Sequence, residues 1–356
     1  MDMTTTDTLV IGAGQAGLAA AHHLGRAGTA SVILDASASP AGSWPRYYDS
    51  LTLFSPARFS QLPGLGFSGD PDRYPHRDEV VDYLTRYASR LDADIRYQRR
   101  VTSLTQTADG LAARGDGFEV RAHRVIVASG SFDAPYTPPI PGIDAHGGRV
   151  LHVAQYRSPG EFAGARIAIF GAGNSAVQIA AELATVARVD MYSRHPIRWQ
   201  RQRILGEDLH WWLVRTGLDR AGVLDSLFPV TTPVLDDGRY RAALRRAAVG
   251  WNPMPVRIQD GRLVGVDGRR READVLLFAT GYRPSVSFLA STPALDSTGL
   301  PRHRAGISTT VPGLGFVGLE HQRSFASATL RGVGRDAQAV VSRLMQRPQN
   351  DHAAST

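Results

Sequence analysis

Two stretches of this chain share one hydrophobic pattern. Thr8-Leu9-Val10-Ile11 and Arg166-Ile167-Ala168-Ile169-Phe170 are apolar runs without alternation, and each leads into a glycine-rich turn and then a helix-like stretch, Gln15 to Arg26 and about Ser175 to Val186. A run apolar on both faces predicts a strand covered on both sides, as in a parallel sheet flanked by helices. Another run follows each helix, Ser31-Val32-Ile33-Leu34-Asp35 in the first unit and Arg188 to Tyr192 in the second. Between the units, Asp94 to Arg124 alternates apolar and polar residues around Asp109-Gly110 and Gly115-Asp116-Gly117, which predicts a small antiparallel excursion. Val125 to Ala128 then reads as a buried strand ending in Ser129-Gly130, and Val275 to Ala279, ending in Thr280-Gly281, has the same form. Pro135 to Pro141 reads as a linker, Leu314 to Gly318 as a strand and Ser324 to about Arg343 as a helix.

These elements predict an α/β protein of two Rossmann-like, three-layer dinucleotide-binding domains. The expected first domain is discontinuous, residues 1–145 and 282–350, and carries the antiparallel β excursion. The expected second domain, 146–281, is inserted into it, and 351–356 is a flexible tail.

Composition narrows the chemistry. All 40 basic residues are arginine, so Schiff-base and P-loop lysine chemistry are excluded, and cysteine is absent, which removes disulfides, thiolate metal sites and cysteine nucleophiles. No metal site is expected. The net charge of +7 comes from arginines that are scattered or in short sets such as Arg198, Arg201 and Arg203, a pattern suited to anionic cofactors rather than nucleic acid. With no signal peptide or membrane span read at the N-terminus, a cytoplasmic protein is expected. A homodimer is compatible with the sequence.

The turns themselves carry specific chemistry. Gly12 permits the tight turn, Gly14 lets main chain approach a pyrophosphate, Gly17 lets helix and strand pack closely, and the amides from Gln15 and Ala16 onward open the helix toward phosphate. Asp35 ends the next strand, where a carboxylate accepts from a ribose hydroxyl pair. In the second unit Gly171, Gly173, Asn174 and Ser175 occupy the equivalent turn. The offset that leads from Gly12 to Asp35 leads from Gly171 to Arg194, preceded by Ser193, and a permanent cation there suits a 2′-phosphate. NADPH is therefore favoured in this unit.

At this point the chain resembles the class B flavin-dependent monooxygenases, and most closely their short bacterial flavin-containing members. Their fingerprint, F-x-G-x-x-x-H-x-x-x-Y followed by a base, is matched by His146-Gly147-Gly148-Arg149-Val150-Leu151-His152-Val153-Ala154-Gln155-Tyr156-Arg157, with His146 where phenylalanine is expected. Gly42-Ser43-Trp44, Leu53 to Ala57, Arg73-Tyr74-Pro75-His76-Arg77, Ala279-Thr280-Gly281-Tyr282-Arg283-Pro284 and Ser327-Ala328-Thr329-Leu330 add to the likeness. The resemblance implies FAD in the first domain, with Ala36, Ser43, Trp44, Val101, Ala128 and Ser129 joining the turn and Asp35 as its binding residues. It implies NADPH in the second, with His195, Thr280 and Gly281 joining Arg194. Because His195 departs from the family's usual threonine, and some short members accept NADH, NADH stays an alternative.

Phe54 and Ser55 are candidates for the flavin's substrate side, and His152 for aligning the two domains; no firm catalytic acid or base is assigned. The activity implied is oxygenation by a C4a-hydroperoxyflavin formed from NADPH and O2, with sulfides, amines or, by Baeyer–Villiger insertion, ketones as substrates. Two alternatives remain: an NAD(P)H-dependent flavoprotein reductase of a ferredoxin-like carrier or quinone, and a non-catalytic flavin or nucleotide sensor. Trp211 and Trp212 read as core or as a pocket mouth, and substrate control is expected between Gln200 and Tyr240.

Overall fold

The computed structural model describes residues 2–218 and 233–346, so the expected tail at 351–356 and the middle of the 200–240 stretch lie outside the described residues. The first sheet is built on β1 (Asp2–Ile11), which leads through the glycine turn into α1 (Gln15–Arg26) and back to β2 (Ser31–Leu34). After α2 (Arg77–Ala88) come β3 (Asp94–Arg96), β4 (Val101–Thr107), β5 (Gly110–Gly115) and β6 (Phe118–Val127). β3, β2, β1 and β6 lie side by side, each pair parallel.

Only β4 and β5 form the antiparallel excursion, hung on the outer edge of β6. The sequence reading broke β6 at Arg124 into the end of an excursion and a separate strand. It is one strand, because its first half is shared between β5 and the start of β1, while its second half is shared between β1 and a strand from the far end of the chain. For the same reason β1 begins at Asp2 rather than Thr8: Thr4 and Thr6 find ladder partners in Val120 and Ala122.

After β6 the chain builds a second sheet and then returns. Its strands are β7 (Arg149–His152), β8 (Arg166–Phe170), β9 (Arg188–Ser193), β14 (Gly250–Pro253) and β18 (Val275–Phe278), in the order β14-β9-β8-β18-β7 and all parallel. α3 (Asn174–Leu183) joins β8 to β9. Between β9 and β14 lie β10 (Trp199–Arg201), β11 (Arg203–Ile204), β12 (Glu207–Asp208), α4 (Leu209–Thr216), β13 (Val234–Asp236) and α5 (Arg239–Arg246). An antiparallel set, β15 (Arg257–Gln259), β16 (Arg262–Val264) and β17 (Arg270–Arg271), precedes β18.

The chain rejoins the first sheet through β19 (His303–Arg304), β20 (Ile307–Ser308) and β21 (Leu314–Phe316), the last parallel to β6, and ends in α6 (Leu330–Gln346). α6 starts six residues later than the sequence reading. Ser327 Oγ accepts from the amides of Arg323 and Ser324, and Thr329 Oγ1 donates to the Ala326 carbonyl, so hydroxyl-stabilised turns replace the expected first turns of helix.

Each sheet is covered on both faces. Val10, Ile33 and Ile126 pack with α1, α2 and α6 on one side of the first sheet, and Leu9, Leu34 and Val125 face Leu104 and Leu111 of the excursion on the other. In the second, Ile167, Ile169 and Leu277 pack under α3, while Ala168, Phe170 and Phe278 meet Ile258 and Leu263 of the antiparallel set. No described helix is long and apolar enough to cross a membrane, and no described cluster of His, Asp or Glu could hold a metal ion.

Candidate active site

The two glycine turns have the same geometry. Gly12 sits at φ +109° and Gly171 at φ +142°, conformations that L side chains rarely adopt, and a Cβ on either would lie 2.4 Å from a carbonyl, that of Ala128 or of Ala279. Those carbonyls belong to the residues just past β6 and β18, which is why each turn opens with glycine. A Cβ on Gly17 would meet the Gly12 carbonyl at 1.7 Å, so α1 packs against its own turn. The second unit places Ala176 there instead, buried at 1% exposure.

Each helix begins without a side-chain cap and without an acid in its first turn. The first helical bonds run from Leu18 N to Gly14 O and from Val177 N to Gly173 O, which leaves the amides of Gln15, Ala16 and Gly17, and of Asn174, Ser175 and Ala176, at the helix ends. A Cβ on Gly173 would meet nothing within 4 Å. Two uncapped helix ends behind open glycines form cradles that fit two pyrophosphates.

Asp35 is 7% exposed and accepts from Ala13 N at 2.5 Å and from the Ser37 amide at 2.7 Å, with the Ser37 hydroxyl on the same oxygen. Oδ1 is filled by the two Ser37 donors, whereas Oδ2 accepts only from Ala13 N and retains a lone pair for a ribose hydroxyl. Ala36 beside it is exposed, Val101 is buried at the start of β4, and Ser129 is held by its hydroxyl bond to the Ser285 carbonyl. Trp44 Nε1 donates to Gln15 Oε1 at 3.1 Å, and Gln15 Nε2 donates to the Ala328 carbonyl at 2.7 Å. The glycine turn, the Ser43-Trp44 segment and the approach to α6 therefore converge on one side chain.

Across the molecule, Arg194 and His195 are exposed on the turn after β9, and Arg194 makes no ion pair among the described residues. Ser193 is buried at 7% exposure and its hydroxyl donates to the His195 carbonyl at 2.6 Å. Thr280 Oγ1 donates to the Tyr136 carbonyl, fastening the turn after β18 to the linker.

The fingerprint residues form the seam between the units. His152 Nε2 donates to the Gly281 carbonyl at 3.0 Å while its Nδ1 accepts from the Ala154 amide, so both ring nitrogens are used and the neutral tautomer is fixed. Burial pushes its pKa below the ordinary value, against the pull of the Gly281 carbonyl. Tyr156 OH donates to Glu182 of α3, and Arg157 donates to the carbonyls of Pro45 and Tyr47 in the first unit. Trp44, Tyr47, Phe132, Tyr282 and His152 then stand in a row, neighbouring ring centroids 4.7–5.6 Å apart. His146 is 4% exposed and neither ring nitrogen finds a partner among the described residues; burial lowers its pKa, and a neutral imidazole fills the fingerprint's phenylalanine position.

Sequence reasoning missed a second link. Asp208 caps α4 and is 8% exposed; its Oδ1 accepts from the amide and Nδ1 of His210 at 2.7 Å each, and its Oδ2 from Tyr74 OH and Gln202 Nε2 at 2.6 Å each. Burial alone would raise this carboxyl, but the donors from His210, Tyr74 and Gln202 hold it below the usual carboxylate range. Burial and then the Asp208 carboxylate push the Tyr74 phenol up to about 12.

Gln202 Nε2 also donates to the Phe54 carbonyl at 3.1 Å, and the Phe54 ring stacks on His210 with centroids 6.1 Å apart. Ser55 is buried and bonded to Ser60 at 2.7 Å, so its hydroxyl serves the loop. Trp211 and Trp212 are half-buried against each other, with Trp212 Nε1 donating to the Ile204 carbonyl. A cleft of about 530 Å³ opens between Leu62, Pro63, Leu65 and Val214, with Arg58 and Arg335 in its wall.

Two sheets with parallel cores, each with an uncapped glycine turn at its carboxyl edge, define a two-nucleotide oxidoreductase fold. The pyridine nucleotide-disulphide oxidoreductase family model matches residues 9–213. A flavin-containing monooxygenase from Stenotrophomonas maltophilia superimposes with a TM-score of 0.86 at 32% identity, covering 97% of this chain and 99% of that one. An uncharacterized CzcO-like oxidoreductase of Geobacillus kaustophilus is 30% identical over 95% of this chain and 98% of its own, and a probable indole-3-pyruvate monooxygenase of Arabidopsis thaliana, YUCCA3, is 27% identical over 83% and 77%. The chain belongs to the class B flavin-dependent monooxygenases, within the pyridine nucleotide-disulphide oxidoreductase family. It is an oxidoreductase without cysteine, so the disulphide chemistry of the wider family's name has no residues to act through.

Proposed function

We propose that the protein holds FAD in the unit formed by residues 1–145 and 282–350 and NADPH in the unit 146–281, and uses O2 to oxygenate soft nucleophiles such as sulfides or amines, with ketones as Baeyer–Villiger substrates. The carrying observation is the pair of matching cradles in a chain without a redox thiol, with Arg157 of the second unit bonded to the Pro45 and Tyr47 carbonyls of the first. Full-length similarity to a flavin-containing monooxygenase supports it.

When bound, the flavin supplies the redox and oxygen-activating chemistry that no side chain here provides. The chain's own part is to bind and orient. Gly12, Gly14, Gln15, Ala16 and Gly17 hold one pyrophosphate, Asp35 a ribose, and Ser43, Trp44 and Ser129 flank the ring system. Gly171, Gly173, Asn174 and Ser175 hold the other pyrophosphate, with Arg194 on the 2′-phosphate. His152 is a positioning residue, since both its nitrogens are committed to main chain. The cleft lined by Phe59, Leu62, Leu65 and Val214 has a volume suited to a small organic substrate.

Mixing the NADPH-reduced protein with oxygen in the presence of a sulfide tests this reading. Stoichiometric sulfoxide per NADPH is expected; immediate reoxidation with only peroxide released, for every sulfide, amine and ketone tried, overturns it in favour of a reductase. Arg194→Ala is expected to raise the KM for NADPH at least tenfold while leaving that for NADH nearly unchanged. Equal effects on the two coenzymes would remove Arg194 from the site.

A further inference from the structure

Trp251 has no part in the site described above. It lies in β14, the edge strand of the second sheet, where its register partner is Met191, two residues before Ser193. Strands in register share faces, so Trp251 stands on the side of Met191 and Ser193, the side covered by α3. Its neighbour Asn252 is 9% exposed, yet the Trp251 indole remains 41% exposed at the carboxyl edge of a dinucleotide unit.

The ring is nevertheless anchored. Trp251 Nε1 donates to Ser193 Oγ at 2.8 Å, and Ser193 Oγ donates its one proton to the His195 carbonyl at 2.6 Å. These two bonds tie the plane of an exposed indole to the turn that carries Arg194. They also spend the Ser193 hydroxyl: with its proton on His195, it can accept from Trp251 but has none to give a phosphate. The recognition surface left on this turn is an exposed aromatic plane beside an exposed cation.

We propose that Trp251 is the stacking platform for the adenine of the coenzyme, and that Ser193 is a positioning residue which orients that platform rather than a phosphate ligand. The inference rests on the reading of the second unit as the nicotinamide-coenzyme site. An aromatic face carries a purine without regard to its substituents, so Trp251 contributes equally to phosphorylated and unphosphorylated coenzymes, whereas Arg194 discriminates between them.

Calorimetric titration of the FAD-loaded protein with ADP-ribose and with its 2′-phosphate separates these roles without turnover. Trp251→Ala is expected to weaken both ligands on the order of tenfold, and Trp251→Phe by no more than about threefold, because the ring remains. Arg194→Ala weakens only the phosphorylated ligand. Ser193→Ala weakens both in the wild-type background and neither in the Trp251→Phe background, where there is no indole N–H to hold.

Should Trp251→Ala fail to fold, Trp251→Leu, which keeps apolar cover on β14 without a ring, repeats the measurement. Binding within twofold of wild type for the ringless variant overturns the inference. If wild type binds neither ligand, the coenzyme reading of the second unit falls first and the platform with it.

Discussion

Removing the Asp208 carboxylate tests the link between the two units most directly. Asp208→Ala leaves four donors without their acceptor: the His210 amide, His210 Nδ1, Gln202 Nε2 and Tyr74 OH. Loss of the α4 cap costs about 1 kcal/mol. His210 and Gln202 are 2% and 6% exposed, so water does not readily replace the carboxylate, and each unmatched buried donor costs about 1–3 kcal/mol. The expected total is about 3–5 kcal/mol, a large share of a typical domain's stability.

The Tyr74 bond joins the units, so its worth is isolated by a double-mutant cycle with Tyr74→Phe. A charge-assisted bond to a buried carboxylate predicts a coupling of about 1.5–3 kcal/mol. Urea unfolding followed by the fluorescence of Trp211 and Trp212, which adjoin His210 on α4, reads the relevant transition. Because the Asp208 pKa is lowered in the folded state, this stabilisation is present above the unfolded carboxyl's pKa and is lost only as pH falls through the folded value; the coupling should be unchanged between pH 6 and 8. A coupling under about 0.5 kcal/mol would refute the interunit role.

The glycine cradles give a paired prediction: Gly12→Ala should yield protein purified without flavin, whereas Gly171→Ala should keep its flavin but bind NADPH more than tenfold more weakly, as read by absorbance and by titration. Retention of both ligands by both variants would sink the assignment. Burial lowers the pKa of His146, His152 and His303, so their neutral forms stabilise the fold fully above the unfolded value of 6.5 and less as pH falls below it. The urea midpoint should therefore drop from pH 7 to pH 5.5, and His146→Phe should flatten that slope; an unchanged slope excludes His146 as a contributor. His152→Ala should slow NADPH oxidation without moving its pH profile, since the ring has no free nitrogen for proton transfer, and a shifted profile would contradict the positioning role.

Much of this architecture was legible because its signals are local. Gly12, Gly171 and the apolar runs before them encode strand, turn and helix within a few residues, and the glycines themselves are required by the carbonyls of Ala128 and Ala279 that crowd them. What was illegible is set by distant partners. The continuity of β6 depends on β21, nearly two hundred residues further along the chain, and the late start of α6 depends on which hydroxyls capture main-chain groups. Likewise Tyr74 and Asp208 carry no joint signal in sequence, although Tyr74 lies in a motif and Asp208 stands two residues before His210-Trp211-Trp212. Trp251 was passed over because a lone tryptophan in a short strand looks like core until its exposure is known.

The two sheets have the same internal order, β3-β2-β1-β6-β21 and β14-β9-β8-β18-β7, but the fifth strand is the last reached in one and the first in the other. The chain crosses between the units just past the carboxyl ends of β6 and β18, where both cradles lie, and residues outside the crossing segments bond the units together. Tyr48 OH to Gln178, Ser50 to Glu182, the Asp49 amide to the Arg157 carbonyl, Arg157 to Pro45 and Tyr47, and Tyr74 to Asp208 all do so. The part-buried members of this set contribute most, Tyr48 to Gln178 about 0.5–1.5 kcal/mol and the charge-assisted Tyr74 to Asp208 about 1.5–3 kcal/mol, and the exposed ones less. The Tyr74 and Asp208 bond is the least solvent-exposed charged link among them, and the cycle measures how far it alone opposes separation of the two cradles.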